Sequence, residues 1–547
     1  MSNLKIKSST PIGSWSGPGD GMLTTPGEFA LGLRRVGRAL YAVDHGEAFG
    51  LTDGGSVEMG GDPGPHGLPL LAVSPPCRPQ NFGSASFATD HGVRFCYLTG
   101  AMANGIGSAE LVEAMGRAGM LAFFGAAGLG PDTVEDAIDR ISTRLGDLPW
   151  GFNLIHSPYE PLLEEAIADL YVRRGVTRVS ASAYMDLTLP LVRYRLHGIR
   201  SDASGEVVTP NRLVAKVSRI EVARKFLAPP PSRMLAELVA RGDLSEDQAR
   251  MAESIPVAQD LTVEADSGGH TDNRPTLALL PTMLALRDRI QAEYDYAVPL
   301  RVGSAGGIST PHSVAAVFAM GADYVMTGSV NQACQEAGTS DVVRQMLAKA
   351  EQADVTMAPA ADMFEMGVRL QVLKRGTMFP MRAHRLYDLY RAHGGIEDIS
   401  DDERRNLEGT IFRKPLEEIW NETRRFWEKR DVTQIERAER DPKHRMALVF
   451  RWYLGMSSRW ANRGEPGREM DYQVWCGPAM GAFNEWVRDS ALDPWENRRV
   501  VTVAHNMLYG AAVITRAAAL RSQGVDFPAT CVDVLPRGPG ELEELLT

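Results

Sequence analysis

The 547-residue sequence predicts an α/β protein built on a closed parallel (β/α)8 barrel of the TIM type. Eight short apolar or β-branched runs alternate with helix-length segments whose apolar residues recur every three or four positions. The runs have the composition of fully buried strands, which favours a closed parallel barrel. A doubly wound open sheet is the competing architecture. The predicted strands begin at Phe95, Met120, Trp150, Thr177, Arg212, Asp260, Pro299 and Asp323.

Two regions depart from this repeat. Residues 218–258, after the fifth strand, contain short helical patterns around a Pro-Pro-Pro run, and a usual βα loop has only ~2–6 residues. We expect this helical insertion to lie over the face of the barrel that carries the chemistry. After residue 350 long helical patterns replace the strands. The predicted domains are an irregular N-terminal segment at 1–90, a barrel at 91–350 and a helical C-terminal region at 351–547.

Composition limits the classes of function. The net charge of -11 argues against a nucleic-acid binder, which needs a basic surface. The five cysteines are scattered without CxxC spacing, so the sequence indicates neither a disulfide framework nor a metal site, and a cytoplasmic location is expected. No apolar run approaches the ~20 residues that cross a bilayer, and the first residues lack the apolar core of a signal peptide. We therefore expect no nucleic-acid or membrane partner.

Glycine-rich loops follow the last two predicted strands. They read GSAGGIST at 303–310 and TGSVNQ at 327–332. Glycine lets backbone N–H groups approach an anion, and a following helix N-terminus adds partial positive charge. Together the loops predict the phosphate site common in barrels, although a tight turn alone would also explain either one. The candidate cofactor-binding residues here are Gly303, Ala305, Gly306, Gly307, Thr327, Gly328 and Ser329.

Further candidates lie at the ends of the first, third and fifth predicted strands. Gly100, Ala101 and Met102, in the motif YLTGAMANGIGS, place little bulk at the barrel mouth, where a flat ring could lie against the backbone. Packing against neighbouring helices would explain the same small residues. Asn153 offers a neutral amide, and Lys216 offers an ammonium group whose inward position requires an anionic partner.

The sixth predicted strand leads into the segment EADSGGHTDNRP at 264–275. Gly268 and Gly269 suggest close approach of the backbone to a ligand. His270 follows them directly, and an imidazole can donate or accept a proton near neutral pH. Asp266 or Asp272 are candidates to orient it. A structural role for the histidine is the alternative, and one histidine among acids is a poor set of zinc ligands.

His156, at the end of the third predicted strand, is a rival acid or base, with a structural role as the alternative. The sequence contains neither the GxSxG motif of a serine hydrolase nor the GKS or GKT of a P-loop. Acyl transfer by serine and nucleotide hydrolysis are therefore disfavoured.

Taken together, these motifs resemble a known group of flavoproteins. EADSGGH is similar to the Glu-Ala-Gly-Gly-His signature of flavin-dependent barrel reductases and nitronate monooxygenases, with Asp266 and Ser267 standing where the signature has Glu and Ala. GSAGGIS and GADYVMTGS resemble their phosphate loops. A closer resemblance covers nearly the whole chain: PPCRPQNFGS, YLTGAMANGIGS, MAPAADMFEMGVRLQVLKRGTMFPMRA and RWYLGMSSRWANRG are similar to PfaD-type subunits, the trans-acting flavin enoyl reductases of polyunsaturated fatty acid and polyketide synthases.

This resemblance implies an FMN-binding barrel that takes hydride from NADPH and passes it from the flavin N5 to the β-carbon of a trans-2-enoyl thioester on an acyl carrier protein. It implies that His270 supplies the proton to the α-carbon and that Lys216 faces the flavin N1 and C2 oxygen. Other synthase subunits are expected partners, and such barrels often form homodimers. A nitronate monooxygenase-like flavin oxidase and a non-catalytic flavin-binding synthase subunit are the alternatives.

The regions outside the barrel can be interpreted in the same way. The helical insertion and the methionine-rich segment at 363–381 are candidates to line an acyl tunnel, with core packing as the alternative. A run of basic residues is a candidate to receive an acidic carrier protein, with a solvated helix face as the alternative. That run consists of Arg369, Lys374, Arg375, Arg382 and Arg385.

Overall fold

The N-terminal part of the chain forms an antiparallel sheet and not the irregular segment expected for residues 1–90. The computed structural model describes residues 5–6, 10–18, 21–46, 49–60, 63, 67–158 and 160–546. The first elements are β1 (Lys5–Ile6), β2 (Gly13–Ser16), α1 (Pro26–Arg34), β3 (Leu40–Asp44), β4 (Phe49–Thr52), β5 (Ser56–Met59), β6 (Leu68–Ser74) and α2 (Ala85–His91). Strands β2 to β6 pair in the order β4-β3-β6-β2-β5.

The middle of the chain is a closed barrel of eight parallel strands. Its elements are β7 (Tyr97–Thr99), α3 (Ala109–Arg117), β8 (Leu121–Phe124), α4 (Pro131–Leu145), β9 (Gly151–Ile155), α5 (Pro161–Arg173), β10 (Arg178–Ser182), α6 (Leu189–Leu196), β11 (Arg200–Ser201), β12 (Val207–Val208), β13 (Arg212–Val217), α7 (Ile220–Leu227), α8 (Ser232–Ala240), α9 (Glu246–Ala252), β14 (Asp260–Glu264), β15 (Gly269–His270), α10 (Thr276–Tyr294), β16 (Arg301–Ala305), α11 (Pro311–Ala319), β17 (Val325–Thr327) and α12 (Ser329–Gln332).

The barrel strands follow one another around the ring in the order β7-β8-β9-β10-β13-β14-β16-β17, and β17 pairs with β7 to close it. All eight predicted strands are confirmed, and closure excludes the open-sheet alternative. The strands are buried on both faces, β8 and β16 completely, because side chains fill the inside and helices cover the outside. Parallel strands carry their C-terminal ends to one face, so the loops that follow them converge there.

The insertion after the fifth barrel strand does not lie over that face. Helix α7 buries Val222, Ala223 and Phe226, and it packs against β13, β14 and α10 on the outside of the barrel. Helix α8 continues along α6 and α9. Of residues 218–258, all of which the structure describes, only Ser218, Arg219 and Val222 line the large cavity described below. The expectation that this insertion forms the roof of the site is wrong.

The C-terminal region is mainly helical, but it also contains strands. Its elements are α13 (Asp341–Ala348), β18 (Val355–Pro359), β19 (Arg369–Leu373), α14 (Phe379–Ala392), α15 (Asp401–Asn406), α16 (Leu416–Glu428), α17 (Thr433–Arg440), α18 (Pro442–Arg463), α19 (Ala479–Val487), α20 (Val500–Ser522), β20 (Val525–Asp526) and α21 (Pro539–Leu546). Short 3-10 turns lie at Pro79–Asn81, Gln352–Asp354, Ile396–Asp398, Glu469–Asp471, Trp495–Asn497 and Ala529–Cys531, and a π-helical segment at Leu407–Phe412.

Strands β18 and β19 pair with each other, and β19 also pairs with β15, so strands continue past residue 350. The long helix α18 has clear local signals at both ends. Asp441 accepts a hydrogen bond from the backbone N–H of His444 at 3.1 Å, Pro442 occupies the first turn, and Gly464 ends the helix in the left-handed conformation.

Helix α20, in the C-terminal region, packs against the N-terminal sheet. Its residues Tyr509 and Val513 share one hydrophobic cluster with Phe29, Leu51 and Ala72 of the N-terminal sheet and its helix. The same helix packs against α11 and α3 of the barrel. Helix α20 therefore lies between the N-terminal sheet and the barrel, although it comes more than 400 residues after the sheet in the sequence. Among the described residues, no helix combines the length and the apolar character needed to cross a membrane.

A buried ionic cluster lies at the N-terminal ends of the barrel strands. Arg301 donates to Asp260 through Nε (2.6 Å) and Nη2 (3.1 Å) and to Asp90 through Nη1 (2.6 Å), and His91 Nε2 donates to Asp260 at 2.9 Å. Burial opposes the charge of Asp260, but His91 and Arg301 outweigh it and lower the pKa of the carboxyl group to about 2. This cluster connects β14, β16 and α2 at the end of the barrel opposite the cavity.

The cluster gives a test of stability. Asp260→Asn leaves the buried guanidinium of Arg301 without its bidentate partner, and we expect the free energy of unfolding to fall by about 3–5 kcal/mol in urea denaturation followed by tryptophan fluorescence. Asp90→Asn, which removes a partly exposed partner, should cost about 1 kcal/mol or less. Equal losses from the two variants would contradict the role assigned to Asp260.

Candidate active site

A cavity of about 910 Å³ opens at the C-terminal ends of the barrel strands. Its floor consists of the loops after the barrel strands. Its roof comes from the C-terminal region and includes part of the methionine-rich segment 363–381, which was a predicted lining of an acyl tunnel. The roof residues include Met363, Met366, Phe426, Trp427, Arg430, Arg451, Trp452, Arg459 and Trp475.

All of the predicted site residues except Gly303 line this cavity. Those that do are Gly100, Ala101, Met102, Asn153, Lys216, Gly268, Gly269, His270, Ala305, Gly306, Gly307, Thr327, Gly328 and Ser329. Gly303 lies within β16, and a Cβ atom there would come within 2.2 Å of the ring of Tyr324. The glycine makes room for that buried ring, so the prediction of a cofactor contact at Gly303 is not supported by its position.

The two predicted phosphate loops lie side by side at the barrel mouth, because β16 and β17 are neighbouring strands. Gly306 and Gly307 have φ values of +82° and +72°, which side chains disfavour, and a Cβ at Gly306 would come within 2.6 Å of the carbonyl carbon of Ala265. A Cβ at Gly328 would meet nothing within 4 Å. Gly306 is therefore required by the fold, whereas Gly328 borders open space.

Thr327 and Ser329 contact protein groups. The hydroxyl of Thr327 is hydrogen-bonded to the hydroxyl of Tyr97 at 3.0 Å and accepts from Asn331 Nδ2 at 2.7 Å, and its carbonyl accepts from the N–H of Gly100 at 2.9 Å. The hydroxyl of Ser329 accepts from the N–H of Gly477 at 3.2 Å. Thr327 thus ties the loop after β17 to the loop after β7, and Ser329 ties it to the C-terminal region.

Lys216 has the anionic partner that its position requires. Its Nζ donates to Glu264 Oε1 at 2.8 Å, and Ser267 Oγ donates to the same oxygen at 3.2 Å. The pair joins the ends of the neighbouring strands β13 and β14. Asn153 is buried, and its Nδ2 donates to the carbonyl of Ser180 and to Ser182 Oγ, both at 2.9 Å. The amide nitrogen is thus held by β10, and the residue lines the cavity in a fixed orientation.

His270 has a carboxylate partner that the sequence analysis did not identify. Its Nε2 donates to Asp362 Oδ1 at 3.1 Å, and Asp362 lies between β18 and β19. Burial acts to lower the pKa of His270, but the charge and hydrogen bond of Asp362, helped by Glu264, outweigh it and raise the pKa above its ordinary value. For Asp362 the two effects have the opposite sign. Burial raises its pKa and His270 lowers it, and the pKa falls below its ordinary value.

The carboxylates predicted to orient His270 have other contacts. Asp266 accepts from Asn273 Nδ2 and Gln371 Nε2, both at 2.8 Å, and so fastens the histidine loop to β19. Asp272 pairs with Arg219 through two hydrogen bonds of 3.0 and 3.1 Å. The hypothesis that either acid orients the imidazole is wrong.

The two glycines before His270 differ in their surroundings. A Cβ at Gly268 would come within 2.8 Å of the backbone nitrogen of Cys476, so this glycine allows the C-terminal region to pack against the loop. Gly269 has a φ of +82°, and a Cβ there would meet nothing within 4 Å. Only Gly269 fits the predicted close approach of a ligand.

A second histidine with a carboxylate partner lies in the cavity wall. His156 Nδ1 donates to Glu164 Oε2 at 2.7 Å, and the buried Glu164 also accepts from Tyr184 at 3.0 Å and from Thr188. His156 stacks against the ring of Tyr184. These contacts fix the orientation of His156 in the cavity wall.

Three arginines of the predicted carrier-binding run are held by acids. Arg375 pairs with Glu351 and Asp354, Arg382 pairs with the buried Asp471, and Arg385 pairs with Glu403. These pairs support the alternative of a helix face with local ion pairs. Arg369, in contrast, lines the cavity.

The residues fit the expected FMN. Two neighbouring glycine loops line the cavity, and the one after β17 borders open space at Gly328, as a phosphate group requires. Gly100 and Ala101 also line the cavity with little side-chain bulk. Lys216 provides positive charge in the same wall. The glycine loops would hold the phosphate, and Lys216 would lie beside the electron-rich side of the ring.

Comparisons with known proteins agree with this geometry. A family model described as nitronate monooxygenase matches residues 91–386, which is more than half of the chain, and a model described as the inserted helical domain of [acyl-carrier-protein] S-malonyltransferase matches residues 393–472. The enoyl reductase domain of MlnA, from the macrolactin biosynthesis cluster of Bacillus amyloliquefaciens, has a crystal structure that superposes with a TM-score of 0.77. It is 38% identical and the match covers 81% of this chain and 99% of that domain.

Curated relatives are longer proteins. One of the polyunsaturated fatty acid synthase subunits of Thraustochytrium sp. is 48% identical over 454 residues, which are 82% of this chain and 30% of that relative. Polyketide biosynthesis protein PksE of Bacillus subtilis is 43% identical over 436 residues, 80% of this chain and 56% of PksE. The chain thus spans less than a third of the first relative and about half of the second. With its fold, its cavity and these matches, the chain belongs to the nitronate monooxygenase family of barrels, beside the MlnA enoyl reductase domain and its synthase relatives.

Proposed function

We propose that the protein is an FMN-dependent enoyl reductase that uses NADPH to reduce a trans-2-enoyl thioester on an acyl carrier protein, for polyunsaturated fatty acid or polyketide synthesis. The observation that carries the proposal is the His270–Asp362 pair in a cavity wall that also contains two open glycine loops. The enoyl reductase title of the MlnA domain and the synthase names of the relatives support it.

FMN, when bound, supplies the hydride chemistry of such a reaction. The reduction also needs a proton at the α-carbon, and we assign its donation to His270, which lines the cavity and pairs with Asp362. Because Nε2 faces Asp362, Nδ1 is the ring nitrogen left to face the substrate. Asp362 favours the protonated imidazole and fixes its ring, as an acid catalyst requires. The side chain of His270 is 36% exposed, so solvent can replace the donated proton.

Lys216 and Glu264 have complementary effects. Lys216 offers positive charge where a reduced flavin ring would collect negative charge, while Glu264 holds the ammonium group at the strand end. Glu264 also favours the charged form of His270, and Lys216 opposes it. The Lys216–Glu264 pair therefore affects the pKa of His270 as well as the charge beside the proposed flavin ring.

The size and lining of the cavity fit two stacked partners. A volume of about 910 Å³ lies near the top of the range of ~300–1,000 Å³ for ligand pockets. The roof adds aromatic and thioether side chains from Trp427, Trp452, Met363 and Met366, which suit an acyl chain. The methionine-rich segment thus contributes to the proposed acyl site.

A flavin oxidase acting on small nitronates is the second candidate, favoured by the family match to nitronate monooxygenase. An alkyl nitronate is already deprotonated and needs no proton donor, whereas the raised pKa of His270 favours a protonated imidazole that can act as an acid. Rapid oxygen uptake with alkyl nitronates would support the oxidase. A non-catalytic flavin-binding subunit would hold FMN that NADPH fails to bleach.

The cofactor site can be tested at a position where the fold has room. Gly328→Leu places a side chain in open space beside the phosphate loops, so we expect a folded protein that has lost its yellow absorbance. The circular dichroism spectrum should match that of the parent protein, and the melting temperature should match that of the FMN-free parent, because bound FMN itself raises it. A variant that keeps full FMN content would contradict the assignment of this loop.

His270 can be tested by separating the two half-reactions under anaerobic conditions. His270→Ala should be bleached by NADPH at the normal rate, but its reoxidation by crotonyl-pantetheine should be about 100-fold slower because the proton donor is missing. Flavin absorbance in a stopped-flow instrument measures both steps. The control His156→Ala should reoxidise faster than His270→Ala, and normal reoxidation of His270→Ala would remove this histidine from the mechanism.

The His270–Asp362 pair predicts a defined pH dependence. The raised pKa keeps the imidazole protonated to higher pH, so the reoxidation rate should fall as the pH rises through that pKa. Asp362→Asn removes the group that raises the pKa while burial still lowers it. The falling limb should then move to lower pH in the stopped-flow profile, and an unchanged or upward-shifted limb would contradict the pairing.

A further inference from the structure

A second cavity adjoins the large one at the surface of the helical C-terminal region. It has a volume of about 640 Å³ and is lined by Gly130, Pro131, Leu163, Glu422, Arg425, Phe426, Lys429 and Arg430. Leu163, Phe426 and Arg430 line both cavities. The two spaces therefore share part of their wall.

Cations surround this second cavity. Arg430 pairs with Glu160 and stacks over the ring of Phe426, whereas Arg425 and Lys429 have no ion pair among the described residues. The one acid in the lining, Glu422, is already engaged by Lys414 Nζ at 2.5 Å and by Trp452 Nε1 at 3.1 Å. The cavity thus has positive charge that the described chain does not neutralise.

The positive charge extends along α18 at the rim of the large cavity. Arg459 lines that cavity, lies 6.0 Å from the ring centre of Phe426 and has no ion pair in the described part of the chain. Burial lowers the pKa of Arg459, and the nearby charges of Arg430 and Arg463 lower it further. These guanidinium groups are close enough to repel one another, and a bound anion would relieve that repulsion.

Apolar surface accompanies the cations. Phe426 is 39% exposed, and Leu162, beside Leu163 at the start of α5, is 72% exposed. Arg425 and Phe426 belong to the region that matches the inserted helical domain of [acyl-carrier-protein] S-malonyltransferase. A basic rim with exposed apolar side chains complements an acidic partner whose ligand must enter the cavity.

We propose that the second cavity binds the phosphate of a phosphopantetheine arm through Arg425, Lys429 and Arg430, and that the basic rim at Arg459 and Arg463 receives the acidic carrier domain bearing that arm. The proposal rests on the proposed function, because it assigns the route by which the thioester reaches the active site. This surface, and not the basic run at 369–385 named in the sequence analysis, is then the proposed binding surface for the carrier protein. The phosphate contacts are charge-assisted hydrogen bonds, and the pantetheine chain passes the shared residues into the large cavity.

The test compares two substrates that differ only in the phosphate, crotonyl-pantetheine and crotonyl-4′-phosphopantetheine. In the parent holoenzyme kcat/KM should be about tenfold higher for the phosphorylated substrate. In the double variant Arg425→Ala, Lys429→Ala the ratio should fall to about one. Arg241→Ala, which removes an exposed arginine from the end of α8 on the outer surface, is the matched control and should keep the parent ratio.

Two outcomes would overturn the proposal. One is a ratio near one in the parent enzyme or a parent-like ratio in the double variant. The other is a tenfold rise in the KM for NADPH in the double variant, which would assign the cavity to the dinucleotide phosphates. Calorimetric binding of 4′-phosphopantetheine and of pantetheine needs no turnover. If the enoyl reductase assignment failed, phosphate-dependent binding that is lost in the double variant would still support this site, and its absence would reject it.

Discussion

The pairing of β15 with β19 is the interaction on which the candidate site depends. It places Gly269 opposite Gln371 and His270 opposite Leu370, so the loop after the sixth barrel strand becomes the edge of a sheet built from the C-terminal region. The same connection supplies Asp362 to the imidazole and Gln371 to Asp266. A barrel alone would leave His270 on a free loop without Asp362, and Glu264 would be the remaining carboxylate that raises its pKa.

The barrel was predictable because its signal is local. Each strand is a short buried run, each helix has its own apolar period, and parallel topology then brings the glycine loops and His270 to one face without further information. The need for an anionic partner beside Lys216 could also be predicted, since an inward ammonium group requires one. Glu264, at the end of the neighbouring strand, is that partner.

The remaining features depend on contacts between distant segments. Asp362 lies 92 residues after His270, and nothing in its local sequence distinguishes it from an ordinary loop acid. The strands of the N-terminal sheet are short, and α20 covers their buried side. No pattern within these short segments predicts that they pack against so distant a helix. The predicted position of the 218–258 insertion was wrong for a related reason. Helix α7 has an apolar face that packs in the outer helix layer of the barrel, and the prediction of a roof over the site did not take that face into account.

The contact between the N-terminal sheet and α20 has a consequence for synthesis on the ribosome. Phe49 and Leu51 are synthesised before the barrel, but the helix that covers their cluster is made more than 400 residues after them. At a translation rate of ~5–20 residues per second, this apolar surface stays uncovered for tens of seconds, a window in which a nascent chain is open to chaperones and to aggregation. The sheet therefore completes its packing only after the barrel has been synthesised, although its strands precede the barrel in the sequence.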